Sequence, residues 1–215
     1  MRRKHKGTLL IPTADDVARH GPRALLAARF PAHVTMKLMR GLRRRLRSKR
    51  EYTALRAAFA AGCDRFGFRL THYAVLNDHL HFLVEARDRT ALSRGLQGLA
   101  IRIAKALNRL WRRAGTVFAD RYHDRILKTP REVRNALRYV LGNGKKHAAE
   151  GREVHVPQAI DTYTSTPWFD GFRETIVVRG IAAMPRTITD AHTWMLPIGW
   201  RRHGLLSVHD VPAVG

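Results

Sequence analysis

Leu76-Asn77-Asp78-His79-Leu80-His81-Phe82-Leu83-Val84-Glu85 is the stretch whose reading decides the rest of this chain. Asn77-Asp78 is turn chemistry, and the residues after it alternate. Side chains two apart on a strand share a face, so His79 and His81 project together while Leu80, Phe82 and Val84 project to the opposite, apolar side. The segment from Phe68 to Val75 reads as the first arm of the same hairpin. Two imidazoles side by side make half of a metal site. The pair fits a polar strand face turned to water equally well, and with 12 histidines in the chain the spacing alone does not separate these readings.

Composition narrows the field. The chain has 215 residues and is 45% hydrophobic, which suffices for one core-bearing domain plus an extension. Forty Lys+Arg against 17 Asp+Glu give a net charge of +23, far beyond the needs of solubility, and this implies a polyanionic partner, with nucleic acid first. No long helix sets a basic face against a bulky apolar one, and no apolar run reaches membrane-spanning length, so no membrane partner is expected. The single cysteine, Cys63, excludes an internal disulfide framework and a Cys-based zinc finger and fits a reducing cytoplasm. Leu9-Leu10-Ile11 is broken by Pro12, so no signal-peptide core is expected there.

Residues 1–32 read as a basic lead-in. His33 to Met39 alternates as a strand, with Val34, Met36 and Leu38 on one face and Thr35 and Lys37 on the other. A basic run from Arg40 to Arg50 follows, Arg43, Arg44 and Arg45 at its centre, and is a candidate for phosphate contact. Ser48 and Glu51 form a capping box for a helix carrying Tyr52, Leu55 and Phe59 as far as Gly62. After the hairpin, Thr90 is the expected cap of a long helix with Leu92, Leu96, Leu99, Ile103, Leu107 and Leu110 as its stripe and Arg94 and Arg102 on its basic side. Gly95 and Gly98 inside it predict a close backbone approach, and Gly115 is its expected end.

Val117 to Lys128 reads as extended and carries Arg121, Tyr122, His123 and Arg125. Thr129-Pro130-Arg131-Glu132 is a second capping box, starting a helix expected to reach Gly142 or Gly144. On it Tyr139 and Asn143 lie one turn apart on the same edge, while Arg131, Arg134, Arg138 and Lys145 gather on the other. The order β-α-β-β-α-β-α describes an α+β fold with a ferredoxin-like antiparallel sheet. If the first two helices cover the Leu80, Phe82 and Val84 side, the histidine side faces the last helix. Residues 148–215 read as an irregular C-terminal extension, with Trp168, Trp194 and Trp200 as anchors and a short strand-like Glu174–Val178.

Three segments together resemble a family. Asn77 to Val84, Phe118-Ala119-Asp120-Arg121-Tyr122-His123, and Leu137-Arg138-Tyr139-Val140-Leu141-Gly142-Asn143 are similar to motifs of the single-tyrosine transposases of the HUH nuclease superfamily, particularly the REP-associated bacterial branch. The resemblance spans His33 to His147, a domain of residues 33–147, with a looser echo from Tyr163 to Phe172. It implies that His79, His81 and Asn143 hold a divalent cation, Mg²⁺ or Mn²⁺, and that Tyr139 attacks a DNA phosphate. It further implies a single-stranded or hairpin DNA substrate held by Arg43, Arg44, Arg45, Arg94, Arg102, Arg121, Arg125, Arg134 and Arg138, a monomer or homodimer, and a place in the bacterial cytoplasm near the nucleoid. Asp78 departs from the asparagine more usual before the first histidine; it either orients an imidazole or serves the turn.

The chemistry is coherent apart from the family. A neutral histidine pair with an amide oxygen and open water positions suits Mg²⁺ or Mn²⁺ better than a closed structural zinc site. Tyr122 is a rival to Tyr139 as nucleophile, and Asn143 one turn away favours Tyr139. The competing readings are a DNA-binding module that keeps the fold without the reaction, and an RNA-binding protein, against which the strands lack the clustered aromatics of a stacking platform.

Overall fold

A computed structural model describes residues 25–42, 45–119, 121–149, 160–177 and 185–210, with the backbone alone from 143 to 149. Its elements follow in the order β1 (Ala32–Lys37), α1 (Lys49–Gly62), β2 (Asp64–Arg65), β3 (Phe68–Val75), β4 (His79–Ala86), α2 (Arg89–Trp111), β5 (His123–Ile126) and α3 (Pro130–Ala149). Among the described residues the strands form one antiparallel sheet in the order β2-β3-β4-β1-β5. The fold is the expected α+β arrangement with one addition. A tight turn at Phe66 and Gly67, both at positive φ, folds the two-residue β2 back on β3.

Strand β4 separates the layers. Leu80, Phe82 and Val84 are wholly buried against Leu55 and Phe59 of α1 and Leu92, Leu96, Leu99 and Ile103 of α2. Each such burial stabilises by about 1.5–3 kcal/mol, and a slip of one residue would drive the histidines into that core instead. On the opposite face Leu83 packs with Val133, Leu137 and Val140 of α3 and with Trp200 of the extension.

Local chemistry explains the helix ends, including those that differ from expectation. Ser48 caps α1, its hydroxyl accepting from the Glu51 amide at 3.3 Å. Glu51 in turn accepts from Trp111 Nε1 at 3.0 Å, which ties the start of α1 to the end of α2. The cap of α2 is Asp88 and not Thr90, because the Asp88 carboxylate accepts from the Ala91 amide at 2.7 Å and starts the helix earlier. Its end comes at Arg112, in the left-handed conformation at φ 51°, before Gly115 is reached. Gly95 meets its expectation, since a Cβ there would lie 2.1 Å from Phe68 Cγ, whereas Gly98 faces only the flexible end of Arg102.

The second capping box forms as read. The Glu132 amide donates to Thr129 Oγ1 at 3.2 Å, and the Thr129 amide donates back to Glu132 Oε2 at 3.1 Å. Helix α3 runs through Gly142 and Gly144 to Ala149, past its expected end. A helical glycine costs only about 1 kcal/mol, too little by itself to stop a helix. The extended stretch from Val117 contributes less strand than expected: Phe118 makes an isolated bridge to Leu38, and only His123–Ile126 joins the sheet.

The extension lies along the sheet. The Val75 amide donates to Tyr163 O and the Ser165 amide to Tyr73 O, covering the outer edge of β3. Buried Glu85 accepts from the His192 and Thr193 amides, both at 2.8 Å, and from Thr193 Oγ1 at 2.7 Å. Arg47 donates to both carboxylate oxygens of buried Asp161, at 2.8 and 3.0 Å. Of the expected tryptophan anchors, Trp200 is wholly buried, Trp168 is partly buried and Trp194 remains 45% exposed. Glu174–Val177 forms no strand; Glu174 instead accepts from Ser207 Oγ and the Val208 amide. Among the described residues no helix is long and apolar enough to cross a membrane.

Candidate active site

Alternation along β4 and its register with β1 assemble the site. His79 and His81 share the α3 face, their rings 4.8 Å apart and perpendicular. In the β1–β4 register Lys37 lies opposite His79 and Thr35 opposite His81. Asp78, at the turn, accepts from His79 Nδ1 at 2.6 Å, and this hydrogen bond holds the Asp78 carboxyl below the usual carboxylate range. Asp78 therefore orients an imidazole.

His81 is set differently. It is only 4% exposed, and its Nδ1 lies 3.1 Å from Thr35 Oγ1 and 3.1 Å from His33 Nε2. His33 is itself held neutral, its pKa lowered to about 4 by burial and, secondarily, by the Arg125 guanidinium. From α3 the half-buried Tyr139 sets its ring edge-to-face with both histidines, ring centroids 5.1 Å from His81 and 5.7 Å from His33. The helix places Tyr139 over the histidines because Val133, Leu137, Val140 and Leu141 are drawn into the second core. Asn143 stands one turn further along α3, and its side chain lies outside the described residues.

The histidine pair fits a divalent cation chemically. Nδ1 of His79 meets Asp78 and Nδ1 of His81 lies against Thr35 and His33, so Nε2 is the nitrogen that each ring would offer to a cation, as where outer hydrogen bonds orient metal-binding histidines. Among the described residues no group of three His, Cys, Asp or Glu side chains is placed to hold a metal.

Residues 32–142, more than half of the chain, match the model of the family described as "Transposase IS200 like". The chain belongs to the IS200-like transposase family. Its fold is similar to that of a solved structure titled as a REP-associated tyrosine transposase bound to a REP hairpin, with a TM-score of 0.54 at 16% identity over 69% of this chain and 82% of that one. None of the curated proteins matches it in sequence.

Within this IS200-like fold the two tyrosines part company. Tyr122 packs against the α1–α2 core, on the far side of the sheet from the histidines, while Tyr139 stands over them. The arginines also divide. Arg125, exposed on β5 across from His33, is on the histidine face, where it donates to Glu132 at 2.9 Å. Arg121 and Arg45 are exposed. Arg94 and Arg102 ride on α2, on the opposite layer, and Arg102 donates back to Gly98 O of its own helix. Arg134 donates to Gly204 O and Leu205 O, and Arg138 lines a small cavity against the extension with Asp161 and Phe172. Arg43 and Arg44 lie outside the described residues.

His33 and Thr35 are the site residues that motif reading missed. Their signal was present in the alternation of β1, where residues 33, 35 and 37 share the parity opposite to Val34 and Met36. What the alternation of a single strand does not contain is its register against β4.

Proposed function

We propose that the chain is a DNA strand-transferase that cleaves and rejoins single-stranded or hairpin DNA through a 5′-phosphotyrosine, with Tyr139 as nucleophile and His79, His81 and Asn143 holding Mg²⁺ or Mn²⁺. The observation that carries this is the Tyr139 ring, its centroid 5.1 Å from that of His81, on the face of β4 that bears the histidines, in a chain of a transposase family. The similar solved protein is titled as bound to a REP hairpin, which supports the choice of substrate.

The residues divide the work. A bound divalent ion would polarise the scissile phosphate and stabilise the charge that develops on it. His79 and His81 present Nε2 because Asp78, Thr35 and His33 engage their Nδ1 atoms. Lys37, exposed beside His79, adds positive charge where a phosphate would arrive. Tyr139 gives up its hydroxyl proton as Oη attacks phosphorus, the P–O3′ bond breaks, and the leaving oxygen takes up a proton to become a free 3′-OH. The phosphodiester energy stays in the phosphotyrosine, so religation needs no nucleotide cofactor. Phosphate contacts by the exposed arginines would supply affinity without sequence choice.

The test is covalent capture. Incubation with hairpin-bearing single-stranded DNA and Mn²⁺ should give a denaturation-resistant adduct that is absent in Tyr139→Phe. An undiminished adduct in that variant sinks the assignment. Binding that is steeply salt-dependent, indifferent to metal and without cleavage would show instead a DNA-binding module on the same fold, the reading that the +23 charge supports by itself.

A further inference from the structure

We propose that the cavity between β3 and the C-terminal extension, walled by His72, Trp168 and Phe169, holds one unpaired base of the bound DNA strand. The assignment rests on the DNA substrate proposed above and uses residues that take no part in the strand transfer. The cavity has the size of a ligand site: about 340 Å³, within the ~300–1,000 Å³ usual for one. The cavity beside Arg138 has about 20 Å³, room for a water.

The walls are aromatic. Trp168 and Phe169 are only partly buried, and Phe169 stacks on the buried Trp200 with ring centroids 5.6 Å apart while meeting the His72 ring edge-to-face at 5.4 Å. His72 is 8% exposed, with Nδ1 3.3 Å from Ser165 Oγ, and burial lowers its pKa to about 4, so the ring is uncharged at neutral pH. Around them the charges balance. Arg201 donates to Asp170 at 2.7 Å, and Arg186 pairs with Asp190. Two cations against two anions leave this cavity without net charge in a chain of +23. A phosphate gains little there. A nucleobase is planar and uncharged, stacks on aromatic rings, and carries on its edges the donors and acceptors that carboxylates and guanidinium groups complement.

The cavity also lies on the right side of the sheet. In the β3–β4 register Ala74 stands opposite His81 and His72 opposite Leu83, so His72 shares the histidine face and is the diagonal neighbour of His81, a separation of about 7–8 Å in such pairs. A nucleotide flanking the phosphate at Tyr139 is the one the cavity would take. Phosphate contacts carry no sequence information, and a base held here would give the strand one position that the protein reads.

Photocrosslinking locates the base. Hairpin DNA carrying 5-iodouracil or 8-bromoguanine at each position of its single-stranded flanks in turn is bound to the full Tyr139→Phe chain, irradiated and mapped by mass spectrometry. One flank position should join the peptide that holds Trp168 and Phe169. Making that position abasic should weaken binding about 5- to 100-fold, the worth of one stacked base, with the salt dependence unchanged because no phosphate contact is lost. Trp168→Ala in the same chain should abolish this penalty. If that variant fails to fold, Arg186→Ala/Asp190→Ala, an exposed pair whose removal leaves the net charge as it was, should reduce the penalty several-fold. A cavity with a structural role only would lose stability in these variants and keep the penalty. Crosslinks that avoid this segment at every position, or a penalty as large in the variants as in the parent, overturn the inference while the adduct test of strand transfer stands. A base captured here, in a chain whose wild type forms no covalent adduct, overturns the reaction and leaves the occupant of the cavity in place.

Discussion

The two faces of β4 are eight residues of one strand put to opposite uses. One face, Leu80, Phe82 and Val84, is sealed under two helices and contains no polar side chain. The other carries His79, His81 and Glu85 beside a single apolar Leu83, and is closed by one helix and an irregular extension. The first face resists change because every atom there has packing partners. The second keeps polar groups in low-dielectric surroundings only by giving each a fixed partner, as Glu85 and His81 show. Stability and chemistry are thus divided by side-chain parity, and substitutions should sort the same way.

The largest expected effect is on the sealed face. Phe82→Ala removes a wholly buried ring in contact with Phe59 and should cost about 3–5 kcal/mol in chemical denaturation. A loss below about 1 kcal/mol would break the contrast. Next comes the acid limb of stability. Buried His72, on the extension side of β3, has its pKa lowered from 6.5 to about 4 by desolvation. The unfolded imidazole protonates first as pH falls, so stability is complete above about pH 6.5 and is lost toward pH 4, by at most about 3 kcal/mol for this group. His72→Gln should flatten that limb in urea titrations run across the interval, and an unchanged slope would remove His72 as its source.

Glu85→Gln should cost about 2 kcal/mol, because three donors from the extension lose a charged acceptor. Limited proteolysis should then cut more readily near His192, whereas cleavage at the wild-type rate would show that the extension is held by apolar contacts alone. The smallest effect on stability is expected at His79→Ala, under about 1 kcal/mol for a half-buried side chain at the strand's start. The same variant should lose the covalent DNA adduct. Full retention of the adduct would detach this histidine from the reaction.

Much of this division was legible beforehand. The hairpin, its facing helices and the second capping box follow from alternation and local hydrogen-bond chemistry, and they hold at Phe68–Val75, Ser48 and Thr129. Residues whose role depends on tertiary pairing were not legible. Thr35 becomes a partner of His81 only through register, and Arg134 meets Gly204 and Leu205 only because the extension returns to α3. Helix ends shifted where two residues competed for one role, as Asp88 and Thr90 did.

The return of the extension to α3 has a consequence in the order of synthesis. Met195, Leu196, Trp200 and Leu206 line the apolar stripe of the helix that presents Tyr139, and they leave the ribosome after it. A nascent chain therefore possesses its histidines, its tyrosine and the sheet that aligns them before it possesses the outer wall of the tyrosine's helix. The fold places a delay between making the site's residues and completing its scaffold.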